Sequence, residues 1–219
     1  MVFADTFMAH VSYVDNVLPQ CLPIIALFHK VGDITFVYLH GHPSSRLMEL
    51  VRQKRTENGK EKEKTVVLDG LALSSAPNGH TFKYHCAVIH GECTRETDLD
   101  LKRAIMKAAT NHIVADRWED VHPVASFQVL FACVLRVDIG RMSIKSRTGI
   151  PGIQPRDKGK DGPDREEPIW NGVMPLYDVL DRPVESVWTY EAIVPEGLEN
   201  FIEKRNETHK QYGLKVAKL

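Results

Sequence analysis

The sequence lacks any apolar stretch that could cross a bilayer. Its longest candidates, residues 17–28 and 129–137, are interrupted by polar residues or are too short. It does not open on a basic segment followed by an apolar run, because Asp5 interrupts the first residues, so no secretory signal is expected. The four cysteines form no C-x-x-C pair, which predicts reduced thiols and a cytoplasmic location.

An excess of charge of either sign is also missing. The 219 residues include 28 Lys and Arg against 29 Asp and Glu, which gives a formal net charge of -1. This balance argues against a nucleic-acid carrier and against an acidic tail. The charged run at residues 52–64 alternates in sign and contains no aromatic residue, so it predicts a solvated loop rather than a nucleic-acid patch.

Common catalytic signatures are absent as well. The sequence contains no G-x-G-x-x-G, G-x-x-x-x-G-K-[ST], G-x-S-x-G or H-E-x-x-H motif. Among its ten histidines, His40 and His42 alternate, but no third residue has a recognisable zinc-ligand spacing, so no metal site is expected.

The hydrophobic pattern predicts an α+β chain in which strands dominate. Residues 22–28 and 34–39 are strand-like runs around a Gly-Asp turn, which predicts a β-hairpin. Further strands are expected at residues 10–14, 65–68, 71–73, 83–92 and 128–139. Helices are expected behind Ser44 or Ser45, at residues 99–113 behind Asp98, and at residues 196–211. This set indicates a barrel or a sandwich.

One corner of this pattern has the chemistry of an anion site. A strand ends at His40 and Gly41, and Ser45 and Arg46 follow at the start of a short helix. Backbone N–H groups, a serine hydroxyl and the arginine fork all donate hydrogen bonds to phosphate oxygens. The alternative is a serine-capped surface helix with a solvated arginine, and the local sequence leaves both readings open.

Two later segments offer further ligand chemistry. The basic cluster from Lys145 to Gly149 contains Arg147, and it is either an anion contact or a solvated strand end. Trp170 either stacks on a planar ligand or closes the hydrophobic core.

In their order along the chain, these motifs resemble the flavin-nucleotide-binding branch of the pyridoxamine 5'-phosphate oxidase-like split barrels. The resemblance covers residues 10–183, and the run of ordered motifs is more specific than any one of them. The matching segments are HVSYV (10–14), YLHG (38–41), SSR (44–46), DGLAL (69–73), NGH (78–80), Tyr84, VIHG (88–91), RW (117–118), KSRTG (145–149) and IWNGVMP (169–175).

The resemblance implies a mainly β, six-stranded antiparallel split β-barrel with flanking helices over residues 1–183. Residues 184–219 would form a C-terminal extension whose polar helix packs on or beside the barrel. The chain would form a homodimer and hold FMN between its two subunits. Nine residues are implied in cofactor binding: His40, Gly41, Ser45, Arg46, Tyr84, His85, Lys145, Arg147 and Trp170.

Within this set, Ser45 and Arg46 would bind the FMN phosphate. Lys145 or Arg147 would stabilise the anionic reduced flavin, and Trp170 would also contact it. His85 stands where the family has an arginine, and it is the best candidate for an acid or a base, although no catalytic residue is assigned.

The function implied is that of an FMN-dependent oxidoreductase acting on an unidentified small molecule. The C-terminal Arg-x-His motif of true pyridoxamine 5'-phosphate oxidases is not visible, which argues against oxidation of a B6 vitamer. The alternatives are a non-catalytic flavin or haem binding protein of the same fold, and a structural dimer that has lost its cofactor. No nucleic-acid or membrane partner is expected.

Overall fold

A computed structural model of the chain describes residues 6–53, 61–75, 77–151, 170–188 and 193–218, and only the backbone of residues 61–66. These residues form seven strands and four helices. The strands are β1 (Ala9–Asp15), β2 (Leu18–Val31), β3 (Ile34–Gly41), β4 (Glu61–Leu73), β5 (Thr81–Arg95), β6 (Cys133–Arg147) and β7 (Gly172–Pro175). The helices are α1 (Arg46–Arg52), α2 (Leu99–Ile113), α3 (Ser126–Phe131) and α4 (Glu196–Lys218).

The strands belong to one sheet, in which hydrogen-bonded neighbours follow the order β1-β2-β3-β6-β5-β4-β7. The pairs β1–β2, β2–β3, β3–β6 and β4–β7 are antiparallel. Strand β1 also pairs with β4, where His10 to Ser12 face Lys64 to Lys62. The predicted mainly β, antiparallel class is confirmed, with seven strands in the sheet instead of the expected six.

Two tight turns set the register of the first three strands. Gly32 has a φ of 60° in the β2–β3 turn, as the predicted Gly-Asp hairpin requires. The β1–β2 turn consists of Asn16 and Val17, with φ values of 47° and 67°. Two successive positive φ values are typical of the hairpin turn that follows the twist of the strands. Valine rarely adopts this conformation, so the sequence did not mark the turn.

The chain divides into two compact units. Unit 1 comprises the described residues up to Val66 together with Cys86–Lys145. Its main core holds the inward side chains of β1, β2, β3, β5 and β6 together with the apolar face of α1. A second cluster places Ile105 and Ala109 of α2 against Leu27, Tyr38 and Val134. Unit 1 therefore packs apolar side chains on both faces of β3.

Unit 2 comprises Val67–His85 and the described residues from Ser146 onward. The second half of β4 pairs with β7 from Gly70 opposite Pro175 to Leu73 opposite Gly172. Helix α4 packs against β7, and a Cβ on Gly213 would lie 3.4 Å from the Tyr177 ring. Its interior includes three polar side chains that are almost fully buried: Asp69, Lys83 and His85.

The predicted helices match the structure closely. Helix α2 has the predicted bounds, and the Asp98 side chain caps it by accepting hydrogen bonds of 2.9 Å from the backbone N–H groups of Asp100 and Leu101. Helix α4 begins as predicted and continues to Lys218. No helix in the described ranges is both long and apolar enough to span a membrane.

Several predicted bounds were wrong. Residues 126–131 form α3, where a strand was expected from residue 128, and β6 begins only at Cys133. A continuous apolar run fits either a helix or a strand. Here the Gln128 side chain favours the helix, because its Oε1 accepts a hydrogen bond of 2.7 Å from the Ala125 N–H at the start of α3. The end of the expected 52–64 loop is wrong, because β4 begins at Glu61 and continues through Gly70, and residues 54–60 lie outside the described ranges. Strand β5 also continues past the expected end to Arg95.

Candidate functional site

The predicted anion corner lies in unit 1, where β3 ends and α1 begins. Gly41 is the last residue of β3, and a Cβ there would lie 3.0 Å from Ile24 and 3.1 Å from Met48. The Ser45 N–H then donates to the His42 carbonyl at 3.0 Å and closes the turn. The apolar face of α1 is buried in the core, which fixes the direction in which Arg46 and its neighbours project.

Arg46 is held by two carboxylates. Its Nε and Nη2 donate to the two oxygens of Asp15 at 2.7 and 2.9 Å, and its Nη1 donates to Glu49 at 3.0 Å. The guanidinium lowers the pKa of Asp15 chiefly through this hydrogen bonding, and the two carboxylates raise the pKa of Arg46. Three of the five guanidinium N–H groups are therefore used, and the cluster carries more negative than positive charge.

Ser45 stands at the N-cap position of α1, but its side chain makes no capping hydrogen bond. The buried Ser45 Oγ has no hydrogen-bond partner among the described residues. Next to the turn, burial lowers the pKa of His40, which favours its neutral form. The corner thus offers one free hydroxyl and one arginine that is already paired.

The other predicted residues divide between the two units. Lys145 is exposed near the end of β6 in unit 1. In unit 2, Arg147 donates from Nη1 to Thr81 Oγ1 at 3.1 Å. Trp170 is 63% exposed, so it does not close a core there. Tyr84 is half-buried on β5 beside the buried His85. The structure thus groups His40, Gly41, Ser45 and Arg46 at one corner and places Tyr84, His85, Arg147 and Trp170 in unit 2.

A buried acid and histidine meet in the interior of unit 2. His85 Nδ1 lies 2.8 Å from Asp69 Oδ2 and 3.5 Å from the Tyr212 hydroxyl. The rings of His85 and Tyr212 pack edge to face, with centroids 5.4 Å apart. His85 Nε2 is buried and has no hydrogen-bond partner in the described part of the chain. This nitrogen is therefore the unsatisfied atom of the cluster.

Lys83 is buried on the same strand, two residues before His85. Its Nζ donates to the Thr148 carbonyl at 3.1 Å. Burial, and secondarily the charge of Arg147, lowers the pKa of Lys83. Residues two apart on a strand face the same side, so β5 presents an ammonium and an imidazole to the interior of unit 2.

Sequence reasoning missed both partner acids and a cleft. Asp15 follows an alternating strand, and nothing local shows that it meets Arg46. Asp69 lies inside the apolar run VVLDGLAL, where a lone acid is itself a signal for a buried partner. A cleft of about 590 Å³ in unit 1 is lined by residues 90–92 of β5 and 138–141 of β6, and it includes Glu92 and Arg141.

Comparisons with known proteins identify a family and a fold. The family model described as pyridoxamine 5'-phosphate oxidase matches residues 2–146. The flavocytochrome Anf3 from Azotobacter vinelandii is 23% identical over 91% of this chain and 86% of that chain, with a TM-score of 0.73. The FAD and heme binding protein from Mycobacterium smegmatis is 22% identical over 92% of both chains, with a TM-score of 0.74. No curated protein matches the sequence.

Proposed function

Because the chain belongs to the pyridoxamine 5'-phosphate oxidase family, we propose that it binds a flavin nucleotide and acts as a flavin-dependent oxidoreductase on a small molecule. The observation that carries this proposal is the family match over residues 2–146. The shared fold supports it, since one neighbour is a flavocytochrome and the other binds FAD and haem. FMN is the flavin that the sequence motifs favour, and FAD is the one named for the mycobacterial neighbour.

The proposed fold for this function is a six-stranded split barrel made of β1 to β6. The pairing of β1 with β4 supports it, because these strands stand at the two ends of the order β1-β2-β3-β6-β5-β4. Strand β7 is then an addition beside β4. The flavin-binding domain would span residues 1–183, and α4 would belong to the extension at 184–219.

The residues at the anion corner have suitable groups for a flavin phosphate. Ser45 Oγ is a buried hydroxyl without a partner among the residues described, and a phosphate oxygen would satisfy it. Arg46 would donate to the same phosphate from the two guanidinium N–H groups that Asp15 and Glu49 leave unused, or after exchanging one of these carboxylates. Lys145 would place positive charge near the reduced ring. A bound flavin itself supplies the hydride acceptor.

A homodimer is part of this proposal. Helix α3 exposes Phe127, Leu130 and Phe131, and the second half of β6 exposes Met142 and Ile144. Exposed large apolar side chains clustered on one element, as on α3, are typical of interaction sites. A second copy of the chain would cover α3 and the second half of β6, and the flavin would bind at the interface of the two subunits.

The test is the absorbance spectrum of the purified protein before and after a chemical reductant. Two flavin bands that bleach on reduction are the expected result. A colourless protein that takes up neither FMN nor FAD contradicts the proposal. Reoxidation by dissolved oxygen or by an added acceptor then identifies the class of electron acceptor.

A second candidate function is that of a flavin and haem binding protein. Two observations favour it. Both neighbours align over more than nine-tenths of this chain, well beyond residue 146, and one is described as a flavocytochrome and the other as an FAD and heme binding protein. Unit 2 also contains a buried histidine backed by a carboxylate. A Soret band in the purified protein, or on addition of hemin, is the expected result for this candidate.

A further inference from the structure

We propose that unit 2 contains a separate ligand site, a groove between residues 180–183 and the first half of α4 that binds an organic amine with an apolar body. The groove has a volume of about 510 Å³ and also includes Val194. This volume lies within the usual range of small-molecule sites. None of the nine residues implied in flavin binding lines the groove, so the inference does not depend on the proposed function.

The walls of the groove are largely apolar. Leu180, Val194 and Ile202 line it and are only half-buried, and Pro183 is exposed. Ile202 belongs to α4, whereas the other three lie outside the helices and strands. The apolar area of these side chains remains in contact with solvent. A ligand with a hydrocarbon body would gain free energy by covering it.

The segment that faces α4 is held in place by three side chains of that helix. Asn206 accepts a hydrogen bond from the Leu180 N–H and donates one to the Leu180 carbonyl, both at 2.8 Å. Two residues earlier, the Asp178 carboxylate accepts a hydrogen bond from Arg205 and lies 2.8 Å from His209 Nδ1. These contacts form the groove before a ligand binds, which lowers the cost of ordering the segment on binding.

The charged side chains of the groove are mostly acidic. Asp181, Glu199 and Glu203 bring three negative charges against the one positive charge of Arg182. Within the described residues, no ion pair neutralises any of these four side chains. The groove therefore attracts a cation and repels an anion.

Two of the acids also lie next to each other on α4. Glu199 and Glu203 are four residues apart, so their carboxylates are neighbours on the helix surface and repel each other. An ammonium group placed between them would relieve this repulsion and could donate up to three hydrogen bonds. Because Ile202 lines the same groove, the hydrocarbon part of the ligand would pack beside the acids. A bare metal ion would leave these apolar walls uncovered.

The experiment is a calorimetric titration of the purified full-length protein at pH 7 with hexylamine, which is protonated at this pH as a lysine side chain is. Hexanol and hexanoate have the same hydrocarbon chain with a neutral and a negative end. We expect hexylamine to bind best, hexanol to bind roughly fivefold or more weakly, and hexanoate not to bind measurably. Added salt should weaken the binding of hexylamine and leave that of hexanol unchanged.

Variants of the charged residues test where the amine binds. Glu199→Gln and Glu203→Gln should each raise the hexylamine Kd by roughly two- to fivefold, the usual size for an exposed charge, and leave the hexanol Kd unchanged. Arg182→Gln should lower the hexylamine Kd, because it removes a like charge. Glu207→Gln is the matched control and should remain close to wild type. Glu207 lies one turn further along α4, outside the lining, and accepts a hydrogen bond of 2.6 Å from Gln211.

A further variant tests the positioning role of Asn206. Asn206→Ala removes both hydrogen bonds to Leu180, so it should weaken hexylamine and hexanol together, unlike the charge variants. Circular dichroism verifies that the variant folds. If it does not fold, Ile202→Ala makes the same test, since it shortens an apolar wall and should also weaken both probes.

Three results would overturn the inference. Hexanol or hexanoate binding as well as hexylamine would show that the carboxylates do not select the ligand. Hexylamine binding that is equally strong in folded Glu199→Gln and Glu203→Gln variants would place the amine elsewhere. The absence of hexylamine binding at millimolar concentration would remove the site. A colourless protein that binds hexylamine through these residues would contradict the flavin proposal and leave this inference standing.

Discussion

The side chain of Arg46 illustrates how a sequence motif and its structure can differ in chemistry. A strand followed by Ser45 and Arg46 reads as an open phosphate site. In the folded chain, Asp15 meets the guanidinium from the far end of β1 with two hydrogen bonds, and Glu49 adds a third. Any anion that binds Arg46 must compete with these carboxylates, whose negative charge also repels it.

This competition gives a prediction with opposite signs for two variants. Asp15→Asn should tighten FMN binding several-fold, because it removes a negative charge and frees Arg46. Arg46→Ala should weaken binding by roughly tenfold or more, the usual size for a charged hydrogen bond. Titration with FMN, followed by quenching of flavin fluorescence, measures both constants.

Asp33→Asn is the matched control for this pair. Asp33 is a fully exposed acid in the same unit, and its ion pair with Lys30 spans 4.0 Å. Its substitution removes the same charge and should leave the FMN constant unchanged. Weaker FMN binding in Asp15→Asn would show that Asp15 supports the site instead of competing with its ligand.

Val17 carries a second prediction at the scale of one residue. It has a φ of 67° in the β1–β2 turn, a conformation that costs a β-branched residue about 1–3 kcal/mol. Val17→Gly should therefore raise the free energy of unfolding by about 1 kcal/mol, less the extra entropy of glycine in the unfolded chain.

Urea denaturation measures this change in the free energy of unfolding. Val31→Gly is the control, since Val31 ends β2 beside the other turn and is not among the residues with positive φ. That change should destabilise the protein. A lower unfolding free energy in Val17→Gly would contradict the strained turn.

At the scale of elements, hydrophobic periodicity correctly predicted a helix that buries only one face. It gave the wrong secondary structure for a segment whose residues are apolar without a clear period. Helix α2 was predicted because apolar residues recur at helical spacing behind the acidic cap at Asp98. The run at residues 126–139 shows no clear helical or strand periodicity. Only the folded structure shows that α3 ends at Phe131 and that β6 begins at Cys133. Local pattern cannot separate a short helix from a strand in such a run.

The close approach of the neighbouring strands β5 and β6 at Gly91 in unit 1 gives a prediction at the scale of elements. A Cβ on Gly91 would overlap the Asp138 carbonyl and lie 2.6 Å from Val137, so the two strands could not keep their approach. Gly91→Ala should lower the free energy of unfolding by about 1–3 kcal/mol, as expected for overpacking.

Gly140→Ala is the matched control for Gly91→Ala. Its Cβ would lie 3.4 Å from the His90 carbonyl, on the facing strand of the same cleft. The change should alter the free energy of unfolding by less than about 0.5 kcal/mol. Equal effects of the two alanines in thermal or urea denaturation would contradict the close approach at Gly91.

At the scale of the whole molecule, the order of many motifs along the chain predicted the family and the antiparallel, mainly β class. The three boundaries between the two units and the seventh strand could not be predicted. Strand β7 has only four residues, and its pairing with β4 depends on chain segments far apart in sequence. The partner acids of Arg46 and His85 were missed for the same reason, since long-range register is not written in local sequence.

The exposed apolar surface of unit 1 carries the prediction about assembly. Phe131 is 71% exposed on α3, and Phe127 and Leu130 extend the same surface. Phe131→Glu should convert the proposed dimer to a monomer in analytical ultracentrifugation, because a charge would be buried in an apolar interface. Val187→Glu is the control and should leave the dimer intact, since Val187 is an apolar residue of unit 2 that is 88% exposed. A monomeric wild-type protein would remove the dimer from the proposal.

The central claim is that the chain binds a flavin nucleotide, and identification by mass of the small molecule that denaturation releases from the purified protein tests it most directly. The account predicts FMN or FAD, in an amount close to one per chain, from protein whose absorbance bleaches on reduction. Recovery of no flavin, from folded protein that also fails to take up added FMN and FAD, would contradict it.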